Sequence, residues 1–556
     1  MSSITTKKAT SITRLLPLLM AAVALLLTAT AYAAAPGITG GTTGTATFKL
    51  TAAPAYLTQP DGAMIYSWGY GCNGDPIGFA PKPNGADLPN ANCTAMQVPG
   101  PTLIVTQGQP VSVTLTNNLP SAAGNTSILF PGFDVTTSGG VRGLLTQEAQ
   151  PGGAVTYTFT ASTAGTHAYY SGTQGDLQVE MGLYGAIIVL PSSIPANCSG
   201  SVPTSPAAKN LAAETHWGES DFRLAHAAYS NPNACYDREY IFQFSEIDPK
   251  IHSQADAQIK AIQNCATSSP TPCPTRLEVA TEPYAPAYFL INGRSMPDDM
   301  DANYASQYPH QPYNGNPHMH PGEQVLLRVI GQGRWQHPFH EHGNHVRILG
   351  RDGNLITSAP ITADPNPTNL AGPLLFTTTT TPGVAMDGIF YWTGRGLNWD
   401  PYGHYNKGNT ANSQDGDPSA HLPCTADANG YNTVDPTALN YYEWCQDHNK
   451  PLEVRPFGDV NGGGPATLPD ANLLTNGAWY GGSAYLGPDA TGRAVGPTGT
   501  TPPSGTIANP PSQEAAFAFM WHSHNEREIT TNNIFPGGMM MMMLVDSREF
   551  QIDEQN

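Results

Sequence analysis

Val111-Ser112-Val113-Thr114-Leu115 alternates apolar and polar residues, the period of a strand that buries one face. Thr102-Leu103-Ile104-Val105, Ala154 to Thr160 and Gly185 to Leu190 are likewise short, rich in β-branched residues and bounded by Pro and Gly, which predicts further strands. Residues 46–192 thus read as one run of strands. A Ser/Pro/Ala-rich stretch follows, and 193–213 reads as a linker. The strand pattern resumes in 214–548, at Tyr240-Ile241-Phe242-Gln243-Phe244, Tyr288 to Ile291, Glu323 to Val329 and His345 to Leu349. It lapses over about 395–513, a Gly/Pro/Asn-rich stretch too long for an ordinary connection. It returns at Ala515 to Trp521 and Met539 to Val545.

Composition supports this reading. In 556 residues there are 57 Gly and 51 Pro, and only 12% are charged, as expected for many short strands joined by turns. Lys7, Lys8 and Arg14 precede an apolar run, Leu15 to Leu27, and an Ala31-Tyr32-Ala33 cleavage pattern, so 1–33 reads as a signal peptide. No later segment is apolar for eighteen residues, so no integral membrane span is expected and the mature chain is read as periplasmic or extracellular. Losing the leader removes three basic residues and no acidic one, which moves the net charge from −19 to −22. So acidic a chain disfavours nucleic acid and anionic lipid as partners. Export permits disulfide bonds, and the eight cysteines fall in near-neighbour pairs: 72/93, 198/235, 265/273 and 424/445. Sequential pairing is the simplest of 105 connectivities, and spacing alone does not select it.

Four segments carry a resemblance. Val98-Pro-Gly-Pro-Thr-Leu-Ile-Val-Thr-Gln-Gly-Gln-Pro-Val-Ser-Val-Thr-Leu-Thr-Asn-Asn-Leu119 and Gly182-Leu-Tyr-Gly-Ala-Ile-Ile-Val189 resemble the opening and closing strands of a multicopper oxidase first domain. Trp335-Gln-His-Pro-Phe-His-Glu-His-Gly343 and Trp521-His-Ser-His-Asn-Glu-Arg-Glu528, followed by Gly537-Gly538-Met539, resemble that family's copper-ligand segments. The resemblance implies an all-β fold of two cupredoxin-like Greek-key β-sandwich domains, with the long insertion in the second.

It also implies two kinds of copper centre: a blue copper with Cys, two His and an axial Met, and a cluster held by four H-x-H pairs. Alternate residues of an extended segment point the same way, which is why the pairs are spaced by two. The first domain lacks both of its pairs, with Leu129-Phe130-Pro131-Gly132 and Tyr169-Tyr170-Ser171-Gly172 in their places. His167 stands off the pattern and reads as a strand histidine. The second domain keeps His340/His342 and His522/His524, together with His337 at a blue-copper position. Ser523 replaces the thiolate, and Glu528 stands where the second blue-copper histidine is expected. A hydroxyl does not substitute for thiolate, so laccase-type oxygen reduction is not expected.

What remains is a candidate metal site of His337, His340, His342, His522, His524 and Glu528, with His345 and Glu341 nearby. Imidazole suits copper, zinc, iron or nickel. The leading expectation is an exported copper-binding protein with a mononuclear or dinuclear site, zinc or another divalent ion being the alternative metal. If it is an enzyme, it is a copper-dependent oxidoreductase. The competing readings are a non-enzymatic structural or assembly module on a relic scaffold, contacting a protein partner or a second copy through the insertion, and a hydrolytic metal enzyme. His318-Met319-His320, between Pro317 and Pro321, is expected in an exposed turn. Met539 to Met543 is expected to fill core, with Met539 or Met540 as the exception near the metal.

Overall fold

The computed structural model describes residues 35–81, 92–198, 223–265, 272–360, 363–365, 367–395, 425–434, 442–446, 482–486, 507–508, 516–546 and 552. The leader, most of 193–213, Glu214, Cys424 and most of 395–513 lie outside these residues.

Two five-stranded sheets make the first sandwich. One runs Gly165–Tyr170, Tyr184–Leu190, Leu103–Thr106, Gly37–Ile38, Phe79–Ala80; the other runs Met64–Cys72, Ala46–Thr58, Pro110–Asn117, Ala154–Thr160, Thr136–Gly139. Two seven-stranded sheets make the second. One has Tyr288–Ile291, Arg238–Ile247, Gln324–Gly331, Ala385–Tyr391 and Val346–Arg351 in order; the other has His318–Met319, Met540–Asp546, Ala516–Ser523, His337–Glu341 and Thr377–Thr380. The fold is all-β, with two cupredoxin-like β-sandwiches.

The two sandwiches pack sheet on sheet, so the inner strands are buried on both faces and read as continuous apolar runs. In Tyr184–Leu190, Ile187 and Val189 enter the core of the first sandwich, while Ala186 and Ile188 meet Ile241, Ile330 and Ala385 of the second. Arg238–Ile247 divides in the same way. Tyr240, Phe242 and Phe244 fill the second core, and Ser245 accepts a 2.7 Å hydrogen bond from Tyr184 across the interface. Gln332 donates to the Gly185 carbonyl at 3.0 Å, also across it. Small side chains and paired amides let the two sheets approach without stranding polar groups.

One helix, Pro249–Gln263, was not foreseen. Asp248 caps it by accepting from the Lys250 N–H at 2.9 Å, and Pro249 occupies the first turn. Its buried residues Ile251, Ala255 and Ile259 recur at helical spacing and join the core of the first sandwich, although the helix follows the linker in sequence. The boundary along the chain is therefore crossed in space.

Disulfides join Cys72 to Cys93, Cys198 to Cys235 and Cys265 to Cys273. Cys445 is also disulfide-bonded, and Cys424, its expected partner, lies outside the described residues. Thiol titration of the folded, unreduced protein is expected to find all eight cysteines oxidised; two or more free thiols would contradict this. Among the described residues, no helix is long and apolar enough to cross a membrane.

Candidate metal centre

The centre is built by strand register. His337–Glu341 pairs antiparallel with Ala516–Ser523 so that His340 lies directly opposite His522. Directly opposed residues share a face and their β-carbons approach to about 5 Å, with residues two positions away reachable diagonally. His342 and His524 occupy those diagonal positions. Ring centroids lie 5.5 Å apart for His340–His522, 4.8 Å for both His340–His342 and His340–His524, and 5.2 Å for His342–His522. The ligand atoms of His340, His342 and His522 all lie within 4.8 Å of one another. His524 is exposed at the rim.

The rings are pre-set for binding. His522 Nδ1 is 2.7 Å from the Ser523 carbonyl, which only accepts, so Nδ1 carries the proton and Nε2 presents its lone pair. That Nε2 lies 3.2 Å from His342 Nε2, close to the roughly 3.3 Å expected between two imidazole nitrogens about 2.0–2.1 Å from one tetrahedral ion. His340 Nδ1 sits 2.7 Å from Thr377 Oγ1. Burial, then the neighbouring imidazoles His342, His522 and His524, push His340 down to about 4. Burial also lowers His522, against the bond to its neighbour's carbonyl. Both are thus neutral near pH 7, the form that binds a metal.

The opposite face of the same strands carries a different device. His337 is fully buried, with Nδ1 2.9 Å from Glu528 Oε2 and Nε2 2.9 Å from Glu246 Oε2. Burial disfavours the imidazolium, but two carboxylates outweigh it and push His337 up to about 9. Both ring nitrogens therefore carry protons, each donated to a carboxylate oxygen. His337 and Glu528, both expected at the metal, are here paired with each other and stand apart from the converged group of His340, His342 and His522. Glu341 also leaves the site, because alternation turns its side chain inward. There burial raises its carboxyl well above the usual range, opposed by the Thr378 hydroxyl.

In the first sandwich, the two segments expected to lack histidine pairs lie side by side: the Leu129 N–H donates to the Tyr170 carbonyl at 2.8 Å. Phe130 packs into the core against Phe159 and Tyr169. His167 is a buried strand histidine, packed on Phe133 with Nε2 3.2 Å from the Thr163 carbonyl.

His318 and His320 are not in an exposed turn. They are 5% and 2% exposed, His318–Met319 pairs with Leu544–Val545, and His318 Nδ1 meets Asp546 Oδ2 at 2.6 Å. The flanking prolines bound a two-residue edge strand, a place that tolerates them as well as a turn does. The methionine run does fill core: Met539, Met541 and Met543 enter the second hydrophobic cluster. Met540 stands opposite His522 on the histidine face.

Sequence reasoning overlooked Glu246, Thr377, Tyr284 and Glu180, all tied to the centre or to its supports. Glu246 could have been found, since a carboxylate in so apolar a strand as Arg238–Ile247 needs a buried partner.

Comparison with known proteins bears on the first two of the four segments, 98–119 and 182–189. The multicopper oxidase family model matches residues 86–193. Multicopper oxidase CTB12 of Cercospora beticola is 37% identical over 95 residues, covering 16% of this chain and 14% of that protein. Laccase abr2 of Aspergillus fumigatus is 36% identical over 98 residues, covering 17% and 16%. This match thus spans about one sixth or less of either relative. Among solved structures, the multicopper oxidase mgLAC is 15% identical with a TM-score of 0.42, covering 92% of this chain and 89% of that one. The blue copper oxidase from Nitrosomonas europaea is 15% identical with a TM-score of 0.41, covering 90% and 86%. Residues 86–193, in the first sandwich, thus carry the domain signature of the multicopper oxidase family, and it is there that the chain resembles these proteins in sequence.

Proposed function

We propose that this protein is an exported copper-binding protein of the multicopper oxidase type, with one mononuclear or dinuclear site formed by His340, His342, His522 and His524. The observation that carries the reading is the convergence of three imidazoles within 4.8 Å, two of which, His340 and His522, burial keeps neutral. The donor set fits copper, and it also suits zinc. Bound copper would supply one-electron redox chemistry. The chain's own residues hold the ring tautomer of His522, keep His340 deprotonated and leave His524 open to solvent. Residues 46–192 and 214–548 are read as the two domains.

Laccase-type oxygen reduction is not part of the proposal. Leu129, Pro131 and Gly172 stand at cluster positions without a side-chain donor, and burial raises the Tyr170 phenol, which keeps it neutral. Ser523 hydrogen-bonds to Glu528 in the place of a thiolate. Export is supported by the sequence of 1–33 and by the disulfides, which persist in oxidising compartments.

Elemental analysis with copper and zinc titration tests the reading, and a mononuclear or dinuclear stoichiometry is expected. Metal content at background after copper loading would overturn it in favour of a scaffold. The copper-loaded protein is expected to lack an intense thiolate-to-copper absorption band. Such a band would place a cysteine at the metal.

A further inference from the structure

The two ligand strands are joined on both faces. On the outer face the histidines converge. On the inner face Glu528 joins the same two strands: its Oε2 accepts from the Ser523 hydroxyl, in the His522/His524 strand, and from His337 Nδ1, in the His340/His342 strand. Asn525 secures the carboxylate, its Nδ2 donating to Glu528 Oε1 at 2.9 Å and its backbone N–H to Ser523 Oγ at 3.2 Å.

The join extends beyond these strands. His337 Nε2 donates to Glu246 in the facing sheet, and Glu246 Oε1 also accepts from the Arg334 and Trp335 N–H groups at 2.7 and 2.8 Å. Tyr284 OH lies 3.0 Å from Glu246 Oε1 and 2.5 Å from Glu180 Oε2 in the first sandwich. A phenol has one proton for two carboxyl groups, so both contacts are made when Glu180 is the protonated partner.

Ser523 ends its strand, and His524 just beyond it is exposed, with its backbone N–H donating to the Pro338 carbonyl at 2.8 Å. Without support from behind, a ligand pair at a strand end would fray and lose the alignment that metal binding needs. We infer that Ser523, Glu528 and His337 are positioning residues of the histidine site, forming a proton-bridged brace that fixes the His522/His524 pair from the inner face. This inference rests on the metal-binding reading. A brace of this kind acts as the outer shell of a metal site, where loss of one partner costs about 10–100-fold in affinity.

Ser523→Ala cuts the brace with least disturbance, since the His337 ion pairs remain; Ser523→Thr keeps the hydroxyl. The full chain and both variants are titrated with copper and zinc, with circular dichroism and thermal melting to verify folding. Ser523→Ala is expected to bind about 10–100-fold more weakly, and Ser523→Thr close to the unaltered protein. In the metal-free state, the ring nitrogen resonances of His522 and His524 should shift in Ser523→Ala and stay in place in Ser523→Thr. Undiminished affinity and unshifted resonances in folded Ser523→Ala would overturn the brace alone. Absence of metal binding by the unaltered chain would overturn the brace together with the function it supports.

Discussion

Replacing His340 and His522 together is expected to abolish copper and zinc binding. The two residues face each other across one strand pair, and each is within ring contact of both other imidazoles. Losing both leaves His342 and His524, one from each strand segment. Two imidazoles hold a divalent ion far more weakly than a converged set of four. His345→Asn should leave affinity unchanged, because His345 packs on Phe376 and does not join the converged donors. Protons compete with metal at every imidazole, but His340 is held down to about 4, so competition there begins only in strongly acid solution. The measurement is isothermal titration across pH. Wild-type stoichiometry and affinity in the double variant would assign metal binding elsewhere and make the converged histidines a relic.

The second large effect belongs to the inner face. Glu246→Ala is expected to destabilise the fold by about 3–5 kcal/mol, the usual consequence of removing one partner from a buried ion pair. The same ion pairs set a pH dependence. His337 is raised from 6.5 in the unfolded chain to about 9 when folded, so the folded state binds the extra proton between those values. That contribution is complete below about pH 6.5 and is lost as pH rises toward 9, for a total of about 3 kcal/mol. Chemical unfolding followed from about pH 6 to about pH 10 reads it directly. Glu246→Ala should flatten the slope as well as lower the midpoint. A wild-type midpoint that stays level through this window would mean that His337 is neutral and the two carboxylates do not clamp a cation.

Much of the fold was readable without coordinates, because strand burial leaves a period-two trace. Val111 to Leu115 and Ala154 to Thr160 alternate since one face meets the core and the other meets solvent. Tyr184–Leu190 runs apolar since both faces are covered. The helix at Pro249–Gln263 had its own signals, Asp248-Pro249 and apolar residues four apart, but its sparse apolar face was too weak to stand out among strands. His318 and His320 were misplaced because flanking prolines mark a chain interruption without saying whether it is exposed.

The site divides along the same line. The chain's covalent order supplies the H-x-H spacing, hence two imidazoles on one side of each strand, and it supplies Ser523 in place of a thiol. Which residue of one strand meets which residue of the other is not written locally. A one-residue slip between His337–Glu341 and Ala516–Ser523 would turn one histidine pair inward and separate the four rings. Packing of Phe339 and Trp521 into the shared core fixes that register and brings His340 opposite His522 across 181 intervening positions. The fate of His337 was decided in the same way. Its ring is a metal ligand or a cation according to what faces it, and only the folded chain brings Glu246 from another sheet to its second nitrogen.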